Sequence, residues 1–540
     1  MVKFVTLEEA VSHVQDNGEL IVGGFSTYGS PEELLEGLGA RYKATGHPKN
    51  ITVICGITPG DKTERNEPLK GINLGLNKIA AEGLIGTAKV GLLNDARLIS
   101  KAVGANKIAG YLLPMGVVVN LFRTTAGGRP GLLTKVGLGT YCDPRHEGCA
   151  VNEKAREQGS VVELMTIDGE EYLFYKAFKP TACFIRATYA DEDGNLSVDK
   201  EAVIGPELEI AAATHNNGGV VIAQVEEIVR RGSIHPKNVR VHSTLVDYIV
   251  KAQNPENQRQ CMITPKFRPE LTGDIKTVQA TVEPLKMNLR KVLVRRAAME
   301  LKPGIVINLG VGLPAGIGSV AAEEGLDKGI TMSVEAGPMG GVPQGGLAFP
   351  ASANPEAIYT QTDMIDMIDG GMLDMTFLGA AEIDEKGNVN VSKFAGRSNG
   401  PGGFIDISQN AKTVIFMGTF TVGDPEVELT DRGLKIIKDE GCIKFVREIQ
   451  QITFSGEYAV KNGQNVMYIT ERAVFSLTSE GLVLTEIAEG VDLERDILGK
   501  MEFKPVISPG LKYMDPRLFR PERMGLVKDN GQLQKSHEFP

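Results

Sequence analysis

An internal duplication constrains this chain more than any other feature of its sequence. Asp191–Lys200 and Asp384–Lys393 share six identities in ten at an offset of 193, which continues without a gap to Gly218–Ile222 against Ala411–Ile415. Two copies of one unit must each bury a core of their own and then meet through a shared face. A second correspondence marks the start of each copy. Leu20–Phe25 is apolar and β-branched, and leads through Gly29-Ser30-Pro31 into the helical pattern Glu32–Gly37. Gly304–Leu309 repeats the plan, with Gly310–Pro314 leading into Ala315–Glu324. Both read as strand, glycine turn, and helix with a proline near its first turn. The offset here is 283, so the first copy carries about 90 extra residues between the two landmarks. The fold class expected is α/β, with two related open domains built on mostly parallel sheets. The expected units are 1–253 and 289–540, joined by a polar, turn-rich linker over 254–288.

At 540 residues with 42% apolar side chains, two large cores are affordable in length and material. The most apolar stretch, Gly110–Phe122, is broken by Pro114 and Asn120, so no membrane span is expected. The first residues lack a secretory apolar region and reach Glu8-Glu9 early, which points to a cytoplasmic protein. A net charge of −10 disfavours nucleic acid, since the basic clusters at Arg230-Arg231 and Arg290–Arg296 are short. The six cysteines form no C-x-x-C pair and no zinc spacing, so free thiols and no metal site are expected.

Gly310-x-Gly312 after a strand invites a dinucleotide reading, but the third glycine is Gly316, one residue too far. No phosphate-cradling G-x-x-x-x-G-K-[ST], metal-binding H-E-x-x-H or nucleophile elbow is present. The seven histidines are scattered, and each fits an ordinary surface or core role.

The segment Ile330–Gly341 is the exception. A short strand delivers one acid, Glu335, into Ala336-Gly337-Pro338-Met339-Gly340-Gly341. An acid near a helix start is common. The alternative is a carboxylate at a strand end, with glycines leaving room for a bulky substrate, where a desolvated glutamate can act as a nucleophile toward a carbonyl. A second glycine cluster, Asn399–Phe404, follows the duplicated element, and its Gly402-Gly403 stand where the first copy has Glu209-Ile210. It can be a simple turn, or a source of free amides for an oxyanion.

These residues together resemble family I coenzyme A transferases, in particular the single-chain acetate/propionate type with its two CoA-transferase (NagB-like) domains. The resemblance runs through Gly137–Arg145, Glu171–Lys176, Val334–Gly337, Gly402–Ile407, Tyr468–Arg472 and Pro505–Pro509. It implies ping-pong transfer of CoA between a short-chain acyl-CoA and a free carboxylic acid. Glu335 would form first an acyl-glutamyl anhydride and then a glutamyl-CoA thioester. An amide of Gly402 or Gly403 would hold the oxyanion, and Asn308, Gly310, Val311, Gly312 and Asn388 would lie along the CoA. No tightly bound cofactor is implied, CoA being substrate and covalent adduct, and a homo-oligomer is expected. Where relatives often carry a glutamine in the first half, this chain reads Pro114-Met115-Gly116, and a thioether cannot donate a hydrogen bond. Two other functions are weighed against transfer: hydrolysis of acyl-CoA through the same glutamate, and ligand sensing without catalysis.

Overall fold

The computed structural model describes residues 2–60, 73–262, 267–278, 284–394, 396–423 and 425–527. Parts of the expected linker (263–266 and 279–283) and the last stretch (528–540) lie outside the described residues.

Two large sheets organise the chain. The first takes its strands from Lys3–Phe4 through Tyr248–Lys251, and the second from Ile305–Leu309 through Val506–Tyr513. In the first sheet eight strands run parallel, and only Leu196–Ser197 pairs antiparallel. In the second, five central strands are parallel (Ile330–Ser333, Ile305–Leu309, Met375–Gly379, Thr413–Met417, Asn465–Ile469), with antiparallel pairings at both flanks. Strands of this kind are covered on both faces and so are nearly continuous in Val, Ile and Leu. Ile51–Cys55 and Val220–Ile222 are examples, with almost every side chain buried.

The duplication reappears as topology. The order Val220–Val229, Ala182–Asp191, Glu19–Val22, Ile51–Cys55 in one sheet matches Thr413–Met417, Met375–Gly379, Ile305–Leu309, Ile330–Ser333 in the other. Even the register is kept, since Val220 stands opposite Ala182 and Thr413 opposite Met375. Leu20 and Ile307 are the equivalent partners of Ala182 and Met375, four residues out of step with the 283 offset read from the turns. The strand-to-helix connection is therefore shorter in the second half. The extra residues of the first half include the strands Ile85–Val90 and Ala109–Leu112, the helix Arg97–Gly104 and a three-stranded sheet, Gly131–Thr134, Glu170–Lys176 and Val162–Ile167.

The halves are joined by backbone as well as side chains. Leu93 N donates to Asn399 O at 2.7 Å, Met115 N to Gly402 O at 2.9 Å, and Gln361 N to Ile204 O at 2.9 Å. At the surface of this contact Arg123 bridges Asp363 (2.8 Å) and Asp366 (2.6 Å). Among the described residues no helix is long and apolar enough to cross a membrane.

Candidate active site

The strands Ile305–Leu309 and Met375–Gly379 are neighbours in the second sheet, and the chain leaves them toward opposite sides. Their carboxyl ends open a crevice, the place where open α/β sheets bind ligands. Here it is a cavity of about 320 Å³, lined by Asn308–Val311 and Leu378-Gly379 from these strand ends. Glu335 and Pro401–Phe404 line another side, and the first half supplies further wall, including Phe25, Ser26, Ile57, Leu92 and Asp95. Ser26 Oγ donates to Asp95 Oδ2.

Glu335 reaches this cavity because the strand Ile330–Ser333 ends in a tight reversal. Val334 N donates to Pro338 O and Gly337 N to Val334 O, both at 2.9 Å, and the chain returns antiparallel through Pro338-Met339. The carboxylate touches the cavity on one side and is otherwise enclosed by protein. That enclosure raises its pKa above the ordinary glutamate range; its own backbone amide and the Asn308 side chain offset part of the rise. Asn308 Nδ2 lies 3.4 Å from Glu335 Oε2 and 3.3 Å from Ser333 O, so one amide group ties two adjacent strand ends together. The site thus holds a half-buried carboxylate with a raised pKa and one side-chain hydrogen bond, from Asn308.

The glycine cluster lies directly against it. A methyl group built on Gly403 would sit 3.3 Å from Glu335 Cγ and 3.3 Å from Met115 Cε. Gly402 has φ +54, a backbone region that glycine occupies without a steric penalty. The two amides differ in use. Gly402 N donates to Gly91 O at 2.9 Å, whereas the Gly403 N–H has no partner among the described residues. The expectation that either amide faces an oxyanion therefore narrows to Gly403. Met115, fully buried, fills the space beside the loop and accepts a hydrogen bond at Sδ from Gln361 Nε2 (3.1 Å).

The remaining expected positions divide. Asn308, Gly310 and Val311 line the cavity, although Gly310 N is committed to Phe377 O at 2.8 Å; Gly312 stands one residue beyond. Asn388 is not brought there. Its amide donates to Asp384 Oδ2 (2.8 Å) and its Oδ1 accepts from Gly456 N (2.9 Å), which makes it a brace for the duplicated turn. Two groups had no assigned part in the sequence reading. Gly91 anchors Gly402 from the other half, and Asp406 is a wholly buried acid one helical turn beyond Gly403.

Known proteins resemble this chain over nearly its whole length. A family model described as coenzyme A transferase matches residues 4–252. The caffeate CoA-transferase of Acetobacterium woodii is 42% identical over 534 residues, covering 97% of this chain and 99% of that protein. The acetate CoA-transferase YdiF of Escherichia coli K12 is 41% identical over 527 residues, covering 97% of each. The crystal structure of the YdiF apoenzyme from E. coli O157:H7 superposes with a TM-score of 0.89 at 40% identity, covering 97% of each chain. The chain belongs to the coenzyme A transferase family. A thioester complex of YdiF with CoA has the same fold, at a TM-score of 0.88.

Proposed function

We propose that this protein transfers CoA between a short-chain acyl-CoA and a free monocarboxylic acid through covalent intermediates on Glu335. The carboxylate oxygen attacks the thioester carbonyl, the C–S bond breaks, and CoA leaves as the thiolate. The thiolate then attacks the glutamyl carbonyl of the anhydride, releasing the first acid and leaving glutamyl-CoA. An incoming carboxylate runs the two steps in reverse. One thioester replaces another, so the reaction needs orientation and charge stabilisation more than driving force.

The observation that carries this reading is the pairing of an enclosed, raised-pKa Glu335 with the unpartnered Gly403 amide on one cavity wall. Burial destabilises the anion and makes it a better nucleophile, and the adjacent unpartnered N–H would supply a donor for the negative charge that develops. Asn308, Gly310 and Val311 would border the CoA arm at the strand ends, with Gly312 just beyond. The apolar part of the first-half wall, Phe25, Ile57 and Leu92, suits a small acyl group. Caffeate is the competing acyl class, because the relative named for it is as similar to this chain as the acetate enzyme.

The test is an acceptor panel (isotope-labelled acetate, propionate, butyrate, caffeate) with acetyl-CoA, following thioester exchange and free thiol separately. The proposal expects acceptor-dependent exchange with ping-pong kinetics, faster for the short acids, and none in Glu335→Ala. Thiol release independent of acceptor would identify a hydrolase. CoA binding without any exchange would identify a sensor.

A further inference from the structure

Asp406 sits in the first turn of the helix Phe404–Asn410 and has no solvent-accessible surface. Its Oδ2 accepts from the amide of Gly116, at 3.2 Å, across the boundary between the halves. Its Oδ1 is buried with no hydrogen-bond partner. The approach is possible only because residue 116 lacks a side chain, since a Cβ there would fall 2.3 Å from Oδ1. One residue away, Met115 N donates to Gly402 O at 2.9 Å. The glycine loop is therefore held to the first half by two adjacent amides, one acting on the loop itself and one on the helix that continues it.

The charges facing Asp406 are all acidic. Glu335 lies on the cavity side, Asp369 at the end of the helix Gln361–Asp369 packs against it, and Asp366 acts on Asp369 in turn. The Tyr175 hydroxyl, also buried, feels Asp406 from the three-stranded sheet. Arg123 pairs with Asp366 at 2.6 Å, whereas among the described residues no cation acts on Asp406 or Asp369. Enclosed carboxyl groups so arranged cannot all ionise near neutrality.

We propose that Asp406 is a positioning residue for CoA transfer, pinning the Gly402–Gly403 loop against Glu335 while adding no negative charge beside a pocket that must admit a carboxylate. The proposal rests on the assignment of Glu335 and Gly403 above. Its chemical consequence concerns the acceptor. Burial, with Glu335 adding to it, pushes the Asp406 pKa up to about 7. Near and above that pH Asp406 places a charge behind the uncharged Glu335 thioester and repels an incoming carboxylate, while a neutral nucleophile is unaffected.

The experiment follows the acetate KM from pH 6.5 to 8.5 beside the rate of single-turnover inactivation by hydroxylamine, a neutral nucleophile that captures the same glutamyl thioester as an enzyme-bound hydroxamate and releases CoA. The acetate KM is expected to rise about fivefold to tenfold across that range, as one added buried charge would produce, with the hydroxylamine concentration for half-maximal inactivation flat. Asp406→Asn keeps an acceptor for Gly116 N–H and removes the charge, so it should flatten the acetate profile whatever its kcat. Asp406→Leu removes the pin and should lower kcat at least tenfold at every pH. A parallel rise in the acetate KM and in the half-saturating hydroxylamine concentration in the natural protein, which needs no variant to fold, would overturn the proposal. So would an unflattened profile in Asp406→Asn, or a normal kcat in Asp406→Leu. Covalent labelling of Glu335 by acyl-CoA, run on the same preparations, separates a failure here from a failure of the Glu335 assignment.

Discussion

Replacing Gly403 with alanine adds one methyl group at the point where Glu335, Met115 and the glycine loop converge. The backbone accepts it, because Gly403 has φ −84 and ψ 2. The new Cβ would lie 3.3 Å from Glu335 Cγ, 3.3 Å from Met115 Cε and 3.4 Å from Ile407 Cδ1. Carbon pairs prefer about 3.5–4.0 Å, so the neighbours must give by a few tenths of an ångström. Met115 and Ile407 meet the methyl with flexible tips, but Glu335 meets it through the carbon that aims its carboxylate. A misplacement of 1 Å can cost about 10²-fold in rate. The expected loss in kcat is therefore roughly tenfold to fiftyfold, or about 1.4–2.3 kcal/mol, with little change in melting temperature. Gly402→Ala is the control, since its methyl has ordinary contacts 3.7 and 3.9 Å away but its φ of +54 is strained. That strain costs about 1–2 kcal/mol, read mainly as lost stability. Steady-state exchange and thermal unfolding on both variants decide the matter. A Gly403→Ala enzyme with the natural kcat would refute the claim that this glycine face positions Glu335.

Three further outcomes are expected. Asn308→Ala removes the 3.4 Å contact to Glu335 Oε2; loss of about 1 kcal/mol of hydrogen bonding should slow exchange about threefold to tenfold. Because Asn308 lowers the Glu335 pKa, the acidic limb of the pH–rate profile should also move to higher pH in that variant. Arg472 is fully buried between Glu471 (2.7 Å) and Asp439 (2.9 Å), so Arg472→Met leaves two enclosed carboxylates uncompensated and should destabilise by about 3–5 kcal/mol in denaturant titration. For Asp406 the sign follows from a pKa raised on folding: its contribution to stability is present at low pH and is lost as pH rises through about 7. Asp406→Asn should therefore gain melting temperature relative to the natural protein at pH 8 and not at pH 4, and a gain confined to low pH would contradict the assignment.

What the sequence disclosed and what it withheld follow from the range of the interactions. The repeat at offset 193 was legible because Ala182 and Val220 must pair in the same register as Met375 and Thr413. Glu335 stood out because a strand that ends in one acid and several glycines has few structural reasons to exist. The choice between the amides of Gly402 and Gly403 was not legible, because the carbonyl that occupies one of them belongs to Gly91, more than 300 residues away. Asn388 illustrates the opposite case. The family resemblance placed it along the CoA, but its amide nitrogen serves Asp384 of its own turn and its oxygen serves Gly456 N. Asp406 escaped notice because an acid in a first helical turn is ordinary. The missing clue was its neighbourhood, an apolar helix face pressed onto Gly116 of the other half.

The central claim is tested most directly by mass spectrometry of the intact protein after incubation with acyl-CoA and no acceptor, followed by peptide mapping. The account predicts one CoA adduct per chain, mapped to Glu335, discharged by added acetate and reduced by borohydride to a stable alcohol at that position. An adduct on another residue, or rapid exchange with Glu335 unmodified at every time point, would contradict it.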